Sequence, residues 1–413
     1  RALTLHQIKA AWERLPDGSR AGAGLKIGII DTGIDAKHPA FSGEGMTAPE
    51  GFPKVSSEAF LGATNGKVIV QRSYDALNRT EPSIVDGAGH GTAVAMVAAG
   101  GRVGSQFGEM LGAAPGAWLG AYRVFGGVAG DEGSTAALLQ ALDDAVSDGM
   151  DVVNMSLGFY PPYREAIDPM ADAVKRAVQM GVMVVKSVGN EGPDIASVDS
   201  PTVAGVGITV GSVQNDRAFA EAVSTEGLGD LLAVASTGTR PAEPVRGRLV
   251  DITGADPSGL ACDPIPGESL RGAVALILRG SCFFSDKLRN AEAAGAIAAV
   301  IYTHAQDPIP FTMDVEDARL PALMVGFESG RQLKSRLAES PSTDVQLTFF
   351  PTVAFPLRGT PLSSFSSRGP TLEARISPDL VAVGQFLSTA AGTAEPLGAV
   401  YDPSGFLVAA GTS

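Results

Sequence analysis

Apolar positions along this chain fall in short runs separated by amphipathic stretches. Residues 25–30, Leu-Lys-Ile-Gly-Ile-Ile, form a β-rich run that ends on Asp31, and 67–71 form another. His90 opens a small-residue helical pattern over 93–99, and 117–125 read as a strand. Residues 134–147 carry apolar positions at helical spacing, with Ser134 or Thr135 as the cap and Gly149 as the stop. A buried strand over 151–155 follows, then a helix over 164–180 closed by Gly181, then strands over 182–188 and 206–213. Strands alternating with helices of this length predict an α/β class, a parallel sheet with helices on both faces. Ligands of such sheets bind beyond the carboxyl ends of the strands. Asp31 lies at one such end, and Asn190 just past another.

From about 222 to 350 the rhythm changes. Strand-like runs at 231–235, 248–252, 273–278, 296–302 and 322–325 sit among turns rich in proline and glycine, with one helix over 286–294 ending at Gly295. This predicts a small α+β, β-rich domain inserted into the first. The expected organisation is 1–225 and 351–413 as the two parts of one domain, with 226–350 as the insert. The sequence has no internal repeat and no low-complexity tract.

Composition narrows the classes. At 413 residues, two or three domains are expected, and 45% apolar against 18% charged residues supports sizeable cores. A net charge of −14 argues against nucleic acid and against an anionic membrane surface as partners. No apolar run reaches the roughly 18 residues needed to span a bilayer. No basic-then-apolar signal peptide stands at Arg1, so the chain reads as processed or trimmed at the front, and equally as trimmed at the back. Cys262 and Cys282 leave two readings open: one local disulfide in an exported protein, or a pair of buried thiols. They lack nearby His or Cys to complete a metal site.

Three small motifs carry chemistry: Asp31-Thr32-Gly33, His90-Gly91-Thr92 and Gly411-Thr412-Ser413. Serine hydrolysis of an amide needs a base for the Oγ proton, an acid that holds the base in one tautomer, and donors for the oxyanion. Asp31 is placed to orient, His90 to act as base and Ser413 to attack. Taken singly, each has a blander reading, as a turn residue, a loop residue and a terminal residue.

Taken together the segments resemble the subtilases, the subtilisin-like serine peptidases, over nearly the whole chain. Ile29-Ile30-Asp31-Thr32-Gly33-Ile34-Asp35 resembles the aspartate motif, and Gly89-His90-Gly91-Thr92-Ala93-Val94-Ala95 the histidine motif. The strand Asp151-Val152-Val153-Asn154-Met155 with Ser156-Leu157-Gly158 resembles a wall of the substrate cleft, where an extended peptide pairs. Ser187-Val188-Gly189-Asn190-Glu191-Gly192-Pro193 resembles the oxyanion loop, with Asn190 as the side-chain donor. Phe365-Ser366-Ser367-Arg368-Gly369-Pro370 and Ile376-Ser377-Pro378-Asp379-Leu380 resemble segments that precede the serine, and Ala410-Gly411-Thr412-Ser413 the start of the serine motif. Substrate contacts are thereby expected from Ser156, Leu157, Gly158, Ser187, Val188 and Gly189. The insert resembles a protease-associated domain through Cys262, residues 273–278, Arg279-Gly280-Ser281-Cys282-Phe283-Phe284, Lys287 and Ala293-Ala294-Gly295-Ala296. That resemblance implies that Cys262 and Cys282 pair.

The resemblance implies a secreted serine endopeptidase acting on polypeptides through an acyl-enzyme and requiring no cofactor, and a monomer is expected. Family members often bind calcium, but no clustered Asp-x-Asp loop assigns ligands, and no metal residue is named. Two departures stand out. Lys186 occupies a place where the family usually has a small residue, to line the cleft or to snorkel outwards, the second being favoured. The family continues past the serine into a buried helix, so a chain ending at Ser413 is expected to be nearly inactive. The rival from another class is a non-catalytic subtilase-like binding protein that uses the insert for partner recognition. A dinucleotide-binding oxidoreductase fails because no G-x-G-x-x-G opens a helix after residue 28. His38 is expected to pack in its loop, His6 lies near the terminus, His304 lies in the insert, and Asp35 is a turn or capping residue.

Overall fold

The computed structural model of the chain describes residues 2–127, 130 and 132–413. The chain divides into two compact units, Arg1–Asp216 with Leu357–Ser413, and Arg217–Pro356. The first unit opens with two short helices, α1 (Ala2–Leu5) and α2 (Ile8–Trp12). Strands β1 (Lys26–Asp31), β2 (Lys54–Val55) and β3 (Val68–Ser73) precede helix α3 (His90–Ala99). A small hairpin, β4 (Val103–Ser105) with β5 (Gly108–Met110), leads to β6 (Trp118–Arg123) and α4 (Thr135–Ser147). Then come β7 (Val152–Met155), α5 (Pro169–Gln179), β8 (Met183–Ser187) and β9 (Ile208–Gln214). The second unit contributes β10 (Arg217–Thr225), β11 (Gly229–Ala235), β12 (Val245–Asp251), β13 (Ala273–Leu278), α6 (Phe284–Ala293) and β14 (Ala298–Tyr302). It ends with β15 (Ala322–Val325), α7 (Phe327–Glu339) and β16 (Asp344–Pro356). The chain then returns to the first unit for β17 (Leu380–Ala390) and β18 (Phe406–Ala410).

The sheet of the first unit runs β18-β17-β9-β8-β7-β1-β6-β3-β2. Its pairings are parallel, save for the antiparallel edge of β17 with β18. Apolar residues alternate between its faces. Ile30 joins Leu138, Ala141 and Val174 of α4 and α5, whereas its neighbour Ile29 joins Val94 and Ala95 of α3 on the other face. The expected α/β sheet, covered by helices on both faces, is thus the architecture of this unit. The sheet grows from β1 in both directions, through β6 on one side and β7 on the other, so the connections diverge there and leave a crevice at the carboxyl ends.

Local chemistry explains the helix boundaries. Ser134 Oγ accepts from Ala137 N at 3.2 Å and caps α4. α5 starts at Pro169, not at 164, because Asp168 Oδ1 accepts from Met170 N at 2.9 Å and proline suits the first helical position. Residues Glu165–Ile167 form a single 3₁₀ turn instead. α3 is buried on nearly every side, which its run of small residues permits. A Cβ on Gly91 would lie 2.1 Å from Gly33 O, so only glycine lets the start of α3 reach the turn after β1.

The second unit is a closed barrel, β10-β11-β15-β14-β13-β12-β16. β12 to β15 run parallel, and β10, β11 and β16 close them with antiparallel pairings. Its limits at 216/217 and 356/357 lie outside the 226 and 350 expected from sequence. β10 and β16 are long antiparallel partners whose outer halves extend the pairing past those points. A second helix, α7, also lies here, whereas the sequence pattern predicts one helix in the insert, over 286–294. Its face is thin, with only Gly330 and Leu333 buried. Cys262 and Cys282 are joined by a disulfide, with their Cα atoms 5.6 Å apart. Among the described residues no helix is long and apolar enough to cross a membrane.

Candidate active site

Asp31, the last residue of β1, is 1% exposed. Its Oδ1 accepts from Thr32 N at 2.7 Å and lies 2.7 Å from His90 Nδ1. A carboxylate only accepts, so Nδ1 carries a proton and Nε2 is the nitrogen that gains and loses the second one. The nearby Asp31 charge is the main cause that pushes the His90 pKa up to about 9; burial opposes it, and the hydrogen bond and the Asp86 charge add to it. Asp31 Oδ2 is buried with no protein hydrogen bond among the described residues.

Asp86 was not singled out in the sequence, yet it organises this corner. Its carboxylate is 3% exposed and accepts from four donors. Thr32 Oγ1 and Gly89 N reach Oδ1 at 2.7 and 2.8 Å, and Thr92 N and Oγ1 reach Oδ2 at 2.8 and 2.7 Å. Gly89 N and Thr92 N belong to the start of α3, where helical amides have no partner of their own. Thr32 Oγ1 in turn accepts from Gly91 N at 2.9 Å. The Asp31 turn and the His90 turn are therefore fastened to one buried anion, whose pKa burial raises against the pull of these hydrogen bonds. The only local signal was an acidic residue four positions before a helix start.

β7 and β8 pair in parallel, with Met155 opposite Lys186, so their exits run side by side. Ser156-Leu157-Gly158 leaves one strand and Ser187-Val188-Gly189-Asn190 the other. Ser187 Oγ donates to Leu157 O at 3.5 Å, a weak link between the two. Val188 N donates to Val210 O at 3.0 Å and Ser367 N to Gly189 O at 3.0 Å, which fixes the second exit from behind. Asn190 is exposed, and its Oδ1 accepts from both Thr412 N and Thr412 Oγ1 at 3.0 Å. A backbone N–H can only donate, so the carboxamide oxygen must face Thr412 and the NH₂ group faces away from it. Ser413 is exposed, and its Oγ donates to Ser156 O at a long 3.4 Å.

The fold thus brings Asp31 to His90, Asn190 to the residue before Ser413, and Ser413 to the first exit. Among the described residues no hydrogen bond joins His90 and Ser413. Lys186 neither lines the cleft nor snorkels outwards. It is 1% exposed, its Nζ donates to Val206 O at 2.8 Å, and burial brings its pKa down to about 8. His38 is buried against Phe41 and Phe406, with Nε2 2.9 Å from Gly405 O. His6 Nε2 accepts from Val383 N at 2.8 Å, and Asp35 Oδ1 accepts from Lys37 N at 3.0 Å in a turn. His304 lies in the second unit. Among the described residues no group of three or more His, Cys, Asp or Glu is placed to hold a metal ion, and no step is assigned to one.

The relatives point the same way. The chain is 31% identical over 390 residues to "Minor extracellular protease Vpr" of Bacillus subtilis, an alignment covering 91% of this chain and 42% of that protein. It is 29% identical to "Subtilisin-like protease SBT1.2" of Arabidopsis thaliana, over 96% of this chain and 54% of the other. It is 31% identical to "C5a peptidase" of Streptococcus pyogenes, over 92% of this chain and 34% of the other. The chain therefore spans about half the length, or less, of these relatives. Residues 22–412 match the Subtilase family. With that match across most of its length, the chain belongs to the subtilase family.

Proposed function

We propose that the protein containing this chain is an exported serine endopeptidase acting on extended polypeptides as a monomer. The observation that carries this reading is the 2.7 Å contact of Asp31 Oδ1 with His90 Nδ1, which leaves Nε2 as a base. Ser413 Oγ, which among the described residues donates to Ser156 O at a long 3.4 Å, is the nucleophile. His90 Nε2 takes the Oγ proton as Oγ bonds to the substrate carbonyl carbon. The amide nitrogen leaves with that proton, and an acyl-enzyme remains. Water then attacks the acyl carbon and gives a proton to Nε2, which passes it to Oγ as the acyl bond breaks, releasing the acid and the free serine. The Asn190 NH₂ group and the Ser413 N–H meet the oxyanion. An extended substrate pairs with Ser156, Leu157 and Gly158 on one side and runs past Ser187, Val188 and Gly189 on the other. The 217–356 unit acts as a protease-associated module that adjusts substrate access and performs no chemistry.

The test is labelling of the full-length protein with a fluorescent fluorophosphonate, alongside turnover of unfolded casein. Label on Ser413, lost in Ser413→Ala and strongly slowed in His90→Ala, is expected. A folded full-length protein that takes no label and leaves casein intact would replace this reading with that of a binding scaffold.

A further inference from the structure

The floor between the two strand exits carries a charge that the reaction above does not use. Residues 197–202 cross beneath both exits. Phe159 and Ser200 exchange backbone hydrogen bonds at 2.9 and 3.1 Å, which ties this segment to the first exit. Asp199 N donates to Val188 O at 3.4 Å and Thr202 Oγ1 to Ser187 O at 3.0 Å, which ties it to the second. The Asp199 side chain rises between them. A Cβ built on Gly158 would lie 1.8 Å from Asp199 Oδ2, and one on Gly189 would lie 2.9 Å from it. The carboxylate therefore occupies the space that side chains at 158 and 189 would fill, and the two glycines leave it open to a ligand lying over them.

This carboxylate is poorly compensated. It is 6% exposed, and the single proton of Thr202 Oγ1 is shared between its Oδ1 and Ser187 O, each at 3.0 Å. Among the described residues Asp199 has no ion-pair partner. Lys186, which pulls its pKa down, commits its ammonium to Val206 O, and Glu191 pushes the other way. Burial is the main cause that raises the Asp199 pKa to about 7. A buried anion with so little support is costly, and a cation delivered beside it offsets that cost. An apolar group in the same place would bury the charge further and gain nothing polar in return.

Position then selects the ligand group. Gly189 precedes Asn190, whose NH₂ group meets the oxyanion in the proposed reaction. A substrate residue with its carbonyl at Asn190 has its own side chain over Gly189 and Gly158, directed at Asp199. We infer that the cleft selects a lysine or arginine side chain on the residue that supplies the attacked carbonyl, with the Asp199 carboxylate as its receptor. This specificity rests on the endopeptidase reading.

The experiment compares the full-length protein with Asp199→Asn on peptides that differ only in that residue, and adds p-aminobenzamidine, an amidinium probe of the pocket read by its fluorescence. The wild type is expected to favour Arg or Lys over Leu or Phe in kcat/KM, and Asp199→Asn to lose roughly 10- to 100-fold on the basic peptides with little change on the apolar ones. The probe should bind the wild type, compete with the Arg peptide, and bind Asp199→Asn at least ~10-fold more weakly. A wild type that prefers apolar residues, a variant that loses equally on every peptide, or a probe that fails to bind the wild type would overturn the inference. If Asp199→Asn does not fold, the wild-type preference and the probe competition still decide. A protein that binds the probe but cleaves nothing would sink the catalytic reading and keep the cation pocket.

Discussion

Asp86→Ala is expected to weaken the fold and to disturb His90 at once. The carboxylate holds four donors at 2.7–2.8 Å, two of them hydroxyls and two of them backbone amides at the start of α3. The Thr32 and Thr92 hydroxyls can turn to other acceptors, but Gly89 N and Thr92 N cannot. A buried amide left unpaired costs about 1–3 kcal/mol, so the two together cost about 2–6 kcal/mol. Removing a buried charge returns part of this, because burial already disfavours the anion. A net loss of about 1–4 kcal/mol is therefore expected for alanine. Asp86→Asn keeps one oxygen and turns its NH₂ toward the other donors, so it should lose about half as much. Both variants remove a negative charge that raises the His90 pKa, so that pKa should fall in both. His90 sits in the turn that Asp86 fastens, and a displacement of about 1 Å there can cost roughly 100-fold in rate. The assays are urea unfolding, NMR titration of the His90 ring, and kcat/KM on a short peptide with the full-length protein. An alanine variant within about 0.5 kcal/mol of wild type, with an unmoved His90 titration, would refute the assignment of Asp86 as the anchor of this corner.

Further outcomes follow from the same geometry. The His90 pKa, raised from 6.5 to about 9 mainly by Asp31, implies a stabilising pair that is fully present below pH 6.5 and lost as pH rises through about 9. Asp31→Asn should lower that pKa toward 6.5 and flatten the loss of stability over this window, and an NMR titration that stays near pH 9 would contradict it. Asn190→Ala should cut turnover on the order of 100- to 1,000-fold with little change in substrate binding. Asn190→Asp keeps an acceptor for Thr412 but puts a negative charge at the oxyanion, so it should be worse than alanine, and recovery of activity in Asp would show that holding Thr412 is the main role. Leu357 N donates to Asp216 O at 2.7 Å, so a short Gly-Ser linker can replace 217–356, and the full-length protein so shortened should still take a fluorophosphonate; a folded deletion with no labelling would show that this unit contributes to the site. Changing Cys262 and Cys282 to serine should cost roughly 3 kcal/mol in the unfolding of the barrel, and an unchanged denaturation midpoint would count against a stabilising role.

Sequence alone settled the fold class and the family of this protein, because both are written locally. Alternating strand and helix patterns over 25–213 need no distant contact to be read, and they place Asp31 and Asn190 at strand ends. Three short motifs offer a carboxylate, an imidazole and a hydroxyl without showing that any of them meet. Tertiary structure decided what depends on residues far apart in the chain. Asp86 draws its donors from Thr32, 54 positions earlier, as well as from the start of α3, and nothing local marks it as their common acceptor. Lys186 reads in sequence as a strand residue that snorkels outwards, and only the position of Val206 O shows that its buried side chain has a partner for the ammonium. α7 carries too thin an apolar face to be read, and its Gly330 is needed because a Cβ there would lie 2.4 Å from the Tyr302 side chain. The barrel limits rest on β10 pairing with β16, a contact across more than a hundred residues. Asp199 is one more polar residue in a loop until the fold sets its carboxylate beside Gly158 and Gly189, which have no side chain to cover it. Burial and opposition are properties of space, and the chain acquires them only when it folds.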